Sequence, residues 1–280
     1  MDIDQADSLL AQALEAYQKG QFEIAAERWA EAEKAYTAGN QWIGAATCQL
    51  NGGNALANLG RFAEAIAEFD QAEAVFVHFQ EEIPLAGCRL SRGDALANLG
   101  RFAEAIPEFD RAEESFARCG EGSYVARSNL SRADAMVNLC RFAEAIVNYD
   151  RAMTVSVRYQ EAGYLARAHL NRSIAWRHLE QFQEAIADCN RAESIFADLG
   201  QCHGVLISQV NRGLVAQSLG HYEDAMRDYE QAESVIIDLC QWSDAARTRL
   251  DLGIALQHPE QYREAIAECR MACQMWVRLL

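Results

Sequence analysis

The hexapeptide Arg-Phe-Ala-Glu-Ala-Ile stands at residues 61–66, again at 101–106 and again at 141–146. Weaker copies begin at Gln181, His221 and Gln261, and a faint one at Gln21. The interval is 40 residues throughout, and seven such blocks fill the 280-residue chain with no insertion. A fixed period in this range restricts the chain to a repeat architecture, in which each unit buries its apolar face only on its neighbours.

Numbered within a block, position 25 is Ala in all seven, from Ala25 to Ala265, and so is position 32, from Ala32 to Ala272. Position 22 is always aromatic: Phe22, Phe62, Phe102, Phe142, Phe182, Tyr222 and Tyr262. Position 10 is Leu in six blocks and Val210 in the other, and position 13 stays small (Ala13, Gly53, Gly93, Ala133, Ser173, Gly213, Gly253). Small residues at helical spacing mark places where two backbones approach closely, and the position-22 aromatic is expected to fill the adjacent space. Two helices per block follow, from about position 2 to 18 and from about 22 to 39, with the turn carried by Gly20, Gly60, Gly100 and Gly220. The pattern predicts an all-α chain of fourteen helices in seven antiparallel pairs, without strands. It reads as one solenoid over 1–280, with repeats 1–40, 41–80, 81–120, 121–160, 161–200, 201–240 and 241–280. Pro84 falls in a first helical turn and Pro259 in a turn, whereas Pro107 lies past a first turn and predicts a kink or a late helix start.

Composition removes several functions. The net charge of −16 argues against nucleic acid or an anionic membrane as the main partner. No apolar run reaches the ~18 residues of a membrane span, and the acidic N-terminus lacks the basic flank and apolar run of a signal peptide, so a cytoplasmic location is expected. Of the nine cysteines, Cys48 and Cys88 share a block position with Ser128, Ala168 and Ser208, Cys140 replaces a turn Gly, and Cys189 and Cys269 stand where Phe or Tyr occur elsewhere. The set reads as small or medium apolar fillers in a reducing compartment. Cys269 and Cys273 lie one turn apart, but no second Cys/His pair stands at ligand spacing, so neither a metal nor any other cofactor is expected. There is no Gly-rich phosphate loop, HExxH or nucleophile elbow, and the six histidines fill unequal block positions, so catalysis in this segment is not expected. Only Lys19 and Lys34 are lysines; every other cation is Arg.

Within a block, Gly53-x-x-Leu56-x-x-x-Gly60-x-Phe62-x-x-Ala65-x-x-x-Phe69-x-x-Ala72 resembles the tetratricopeptide repeat. The 40-residue period looks like the longer version found in Leu-Gly-Asn repeat proteins and, slightly longer still, in kinesin light chains. The resemblance implies a right-handed superhelical solenoid of helix-turn-helix pairs, whose first helices line a concave groove that takes peptides. Bacterial proteins with such repeats often carry them as a sensor or docking module beside a peptidase, kinase or transcriptional domain. Positions 7, 11, 14 and 18 fall within about 60° on a helix and form one stripe; they are the positions that face the groove in the family. The stripe supplies Asn51, Asn54 and Asn58 in block two, and Ser91, Asp94 and Asn98 in block three. Block four adds Arg127, Ser131, Asp134 and Asn138; block five, Arg167, Asn171 and His178; block six, Asn211. Stacked Asn side chains suit the backbone of an extended peptide, Arg127 and Arg167 a carboxylate, and Ile174, Ile207 and Leu214 an apolar side chain. The competing reading is that Arg127 merely pairs with Asp134 or Asp94 and that the asparagines are solvated.

Two departures from the family pattern belong together. Position 12, usually Leu, holds Arg92, Arg132, Arg172 and Arg212; position 33, usually apolar, holds Glu73, Glu113, Glu193 and Glu233, and both revert in the last block to Leu252 and Cys273. Each lies between small or apolar positions, and an isolated buried ion is very costly. An internal Arg–Glu ladder is therefore expected, with Asp70, Asp110 and Asp150 at position 30 as further acceptors and the register between repeats as its main effect. The sequence leaves open whether each Arg pairs within its own block or with a neighbour. The chain ends on apolar residues 275–280, which read either as a self-association surface or as the edge of a fragment whose effector domain lies beyond. Three functions stand at this point: a scaffold for a protein or peptide partner, a self-assembly or intramolecular regulatory module, and a nucleic-acid-associated regulator using its arginines locally.

Overall fold

A computed structural model describes residues 3–238, with side chains over 5–232. Twelve helices and no strand occur among the described residues: α1 (Ile3–Gln18), α2 (Phe22–Ala38), α3 (Trp42–Asn58), α4 (Phe62–Phe79), α5 (Glu82–Asn98), α6 (Phe102–Cys119), α7 (Gly122–Asn138), α8 (Phe142–Tyr159), α9 (Ala162–His178), α10 (Phe182–Asp198), α11 (Cys202–Ser218) and α12 (Tyr222–Asp238). Two compact units, Met1–Arg141 and Phe142–Leu280, are described separately below. In each, consecutive helices pack as antiparallel hairpins, so the all-α repeat class is as expected. The thirteenth and fourteenth helices, Pro259, Glu233, the Leu252/Cys273 reversion, the Cys269/Cys273 pair and the apolar end lie outside what is described.

The turns are chemically uniform. No side chain caps the N-termini of α2 to α7. The C-termini close instead through the backbone: the Gly60 N–H donates to Ala57 O at 3.0 Å and the Arg61 N–H to Leu56 O at 2.9 Å, the paired bonds of a Schellman ending. That ending needs a left-handed residue, which Gly20, Gly60, Gly100 and Gly220 supply with φ between 73° and 76°. Cys140 and Glu180 hold the same conformation (φ 58°) without being glycine.

The invariant alanines do what close approach requires. Every position-25 and position-32 Ala from Ala25 to Ala232 is fully buried. The filler over position 13, however, is position 29 and not position 22. A Cβ added to Gly53 would stand 2.6 Å from the Phe69 ring, and one on Gly93 2.5 Å from Phe109. In the second unit Gly213 would meet Tyr229 at 2.6 Å. Where position 13 grows to Ser173, position 29 shrinks to Cys189, and both remain buried. The position-22 aromatics Phe62, Phe102, Phe142 and Phe182 are only half-buried, because they sit at the mouths of the turns.

Two further expectations need correcting. α6 starts at Phe102, in step with its equivalents, so of the two expectations for Pro107 the late start is not seen; Pro107 lies inside the helix, where a single N–H is lost. Among the described cysteines, only Cys48, Cys88 and Cys189 are buried fillers, with burial pushing the first two thiols up to about 12 and the third to about 11. Cys119 is half-buried, and Cys140 and Cys202 are exposed.

Candidate functional site

The first helices of the first unit carry two polar faces. One forms the wall of an open cavity of about 560 Å³, lined by Tyr17, Asn54, Asn58, Phe62, Ser91, Asp94, Asn98 and Arg127 together with Ala57 and Ala95. Six expected groove residues thus meet on one surface: Asn54 and Asn58 from α3, Ser91, Asp94 and Asn98 from α5, and Arg127 from α7. Asn51, Ser131, Asp134 and Asn138 occupy the same helical stripe but stand off that wall. Tyr17 and Phe62 are additions the stripe did not contain. Tyr17 is the one aromatic at a block position held elsewhere in this unit by Ala57, Ala97 and Val137, which was its visible signal.

Asn98, Asn138 and Arg127 are each held by one hydrogen-bonding partner, and Asn58 by two. Asn58, Asn98 and Asn138 are exposed, and each donates Nδ2–H to the carbonyl four residues back, at 2.8 Å. Asn58 donates its other amide proton to the Tyr17 hydroxyl at 3.0 Å. Arg127 Nη2 donates to Asp94 Oδ2 at 2.7 Å, so the Arg127–Asp94 pairing weighed from the sequence is present. It uses one of five guanidinium donors. In the second unit, Asn171 and Asn211 are half-buried on α9 and α11, while Arg167 is exposed. His178 is stacked on Phe142 with ring centroids 4.5 Å apart and planes 3° from parallel.

The second polar face is the ladder, and nearly all of its guanidinium donors are used within the chain. Arg92 donates to Glu108 at 3.1 Å and to Asp70 at 2.7 Å, and also bonds Glu73. Arg132 bonds Asp110 and reaches Glu113 at 2.9 Å and Asn129 Oδ1 at 2.7 Å. In the second unit Arg172 takes Asp188 with two donors at 2.7 and 2.8 Å and also bonds Asp150. Arg212 donates to Asp228 at 2.6 Å and to Asn190 at 2.7 Å, and bonds Glu193. Arg172 and Arg212 are 14 % and 19 % exposed, mostly buried as expected. The open question resolves in both directions: Arg92, Arg172 and Arg212 each bridge an acid of their own block and at least one acid of the preceding block.

The acid within the block sits at position 28 (Glu108, Asp188, Asp228), a column absent from the expected ladder. Position 9 joins as well: Arg89 donates to Glu73 at 2.9 Å, Gln209 to Glu193 at 2.8 Å, and His169 Nδ1 lies 2.9 Å from Asp188. Burial pushes Asp188 towards protonation, but the bonds from His169 and Arg172 outweigh it and hold its carboxyl below the usual range. Glu73 is lowered against burial in the same way, by Arg89 and Arg92. Arg132 is the exception, with Nε buried and unpartnered, and position 28 of its block is Asn148. In block two, position 12 is Gly52; Glu68 has no guanidinium there, and burial followed by the Glu33 charge raises its pKa.

No described helix is long and apolar enough to cross a membrane. The tetratricopeptide repeat model matches residues 10–76, 50–121 and 90–159, and a second model of the same description matches 207–235. No curated protein matches the chain in sequence. Among solved structures, the apo form of RapI is 10 % identical, covers 98 % of both chains and gives a TM-score of 0.79. A signal transduction ATPase with numerous domains and a tetratricopeptide repeat sensor, from Pyrococcus horikoshii, is 13 % identical with a TM-score of 0.79. The match covers 97 % of this chain and 42 % of that one. A Rap protein complexed with Competence and Sporulation Factor is 12 % identical, covers 98 % of this chain and 76 % of its own, and gives a TM-score of 0.67. At these identities the likeness is one of fold.

Proposed function

Since the chain belongs to the tetratricopeptide repeat family, we propose that it is a protein-interaction scaffold that takes an extended peptide segment along the polar stripe of its first helices. The observation that carries this reading is the difference in saturation between the two polar faces. The ladder arginines spend nearly all their donors inside the chain, whereas Asn98 and Arg127 keep donors and acceptors over an open cavity lined by Tyr17 and Phe62. A binding surface needs such unspent groups, because a ligand must replace the water they hold. The proposed contact set is Asn51, Asn54, Asn58, Ser91, Asp94, Asn98, Arg127, Ser131, Asp134 and Asn138 in the first unit, with Arg167, Asn171, His178 and Asn211 in the second. The net charge of −16 favours a neutral or basic protein segment over nucleic acid.

The Rap relative, solved as a complex with Competence and Sporulation Factor, supports partner binding as the role of such a fold. A second reading, a sensor module that regulates an effector in a larger protein, draws on the Pyrococcus relative, in which a chain like this one spans under half the length. The test is a pull-down with the 280-residue chain, competition with peptides from the captured protein, and the combined change Asn58→Ala, Asn98→Ala, Asn138→Ala. At roughly 1 kcal/mol per amide contact, the triple variant should bind at least tenfold more weakly. Unchanged affinity with the helical spectrum intact moves the site off the stripe.

A further inference from the structure

The three asparagines at block position 18 of the first unit, Asn58, Asn98 and Asn138, are copies of one another. One amide proton of each is tied to the backbone carbonyl of Asn54, Asp94 or Asp134 at 2.8 Å. That bond fixes the side chain and leaves a second N–H and the Oδ1 lone pairs directed off the helix. Asn58 shows where the second proton points, because it is donated to the Tyr17 hydroxyl on the cavity wall. Asn98 and Asn138 make no further hydrogen bond among the described residues. The Tyr17 oxygen thus stands in for the carbonyl oxygen that a bound chain would offer the next two rungs.

Spacing restricts which backbone can supply such oxygens. α5 touches both α3 and α7, and helices in contact lie about 8–10 Å apart, so equivalent amides recur at about that interval. A helical ligand is excluded because its carbonyls are already bonded within itself. A β-strand returns the same side every second residue, about 6.6 Å, or every fourth, about 13 Å, and neither fits. Polyproline II returns the same side every third residue, about 9.3 Å, and leaves every carbonyl unbonded. That interval fits, and the aromatic faces of Tyr17 and Phe62 suit the flat rings of proline.

We propose that the segment bound by the first unit adopts the polyproline II conformation. It advances one three-residue turn per repeat, with the carbonyls of residues i and i+3 accepting from Asn98 and Asn138. The ligand class is therefore a proline-tolerant, extended peptide that uses no backbone N–H of its own, and this rests on the groove reading above.

The test selects peptides of about twelve residues, four polyproline turns long, from a random displayed library against the whole chain. Each position is then replaced by proline, and affinity is followed by fluorescence anisotropy. This mode uses no ligand N–H, and every carbonyl survives the change. Affinity is therefore expected to stay within about threefold at most or all positions, with any loss of about tenfold or more falling on residues three apart, whose side chains face the groove. Losses that alternate with a period of two, or tenfold losses at every position, overturn the conformation while leaving the groove intact. A library whose binders are all indifferent to Asn98→Ala with Asn138→Ala, or that yields none, overturns the groove reading itself. Tyr17→Phe frees the remaining proton of Asn58 and is expected to tighten peptides long enough to reach it by several-fold; a several-fold weakening counts against the stand-in role of that hydroxyl.

Discussion

α5 presents Arg92 on one side and Asn98 on the other, and the two are polar in different ways. Arg92 is 13 % exposed and is shared among Asp70, Glu73 and Glu108, residues from two successive blocks. Asn98 is exposed, and its one bond returns to its own helix at Asp94. A buried guanidinium is costly to leave short of partners, because the desolvation of its charge is offset only where carboxylates replace the water; among the four ladder arginines only the Arg132 Nε is left so. An exposed amide can be left short, because water completes it. The first face therefore serves the fold, and the second is free to be completed by a ligand.

The sharpest way to break that contrast is to remove one partner from the ladder. Arg172→Met leaves Asp188, 1 % exposed, without its bidentate donor. An unfolding free energy about 3–5 kcal/mol lower is expected in urea titration. The double change Arg172→Met with Asp188→Leu should recover most of that loss, since an apolar pair of similar volume costs little. If the double variant is as unstable as the single one, the ladder contributes net stability and not only register.

Adjacent glycines on α3 give a smaller pair of effects with opposite signs. Gly53→Ala forces a Cβ against Phe69 and should destabilise by about 1–3 kcal/mol. Gly52→Ala meets only Trp29 Cβ at 3.6 Å, an ordinary contact, and should stabilise by up to ~1 kcal/mol through helix propensity. Thermal midpoints of the two variants, measured side by side, check both signs.

pH has a gentler effect. Asp188 and Glu73 are lowered in the folded chain, so their stabilisation is complete above the ordinary carboxylate pKa and is lost as pH falls through the lowered values. Unfolding midpoints should hold steady down to about pH 5 and fall below about pH 4. In Arg172→Met the fall should begin at higher pH, because Asp188 then keeps its burial but loses its main counter-charge. Glu68 has the opposite sign: its raised pKa means that protonation favours the folded chain, so Glu68→Gln should be neutral or slightly stabilising at pH 7.

Much of this was legible in the sequence, for a physical reason. Close contacts between backbones tolerate only one residue size, so Ala25, Ala32 and their equivalents wrote the helix pairs into the chain before any packing was known. The ladder was half legible. Arg at position 12 and the acids at positions 30 and 33 stood out because they replace apolar residues, but Glu108, Asp188 and Asp228 alternate with Asn148 and differ in length. Two aromatic columns, at positions 22 and 29, fitted the close-contact site equally well as patterns, and only the geometry of Phe69 on Gly53 separates them. Tyr17 escaped because it belongs to the divergent first block and reaches the groove from outside the stripe.

The division between the two faces is tested most directly within a single helix. Arg92→Ala and Asn98→Ala are compared in urea denaturation with circular dichroism as the probe. The account predicts a loss of about 3–5 kcal/mol for Arg92→Ala and less than about 0.5 kcal/mol for Asn98→Ala. Equal losses would contradict it, because Asn98 would then matter to the fold no less than the ladder beneath it.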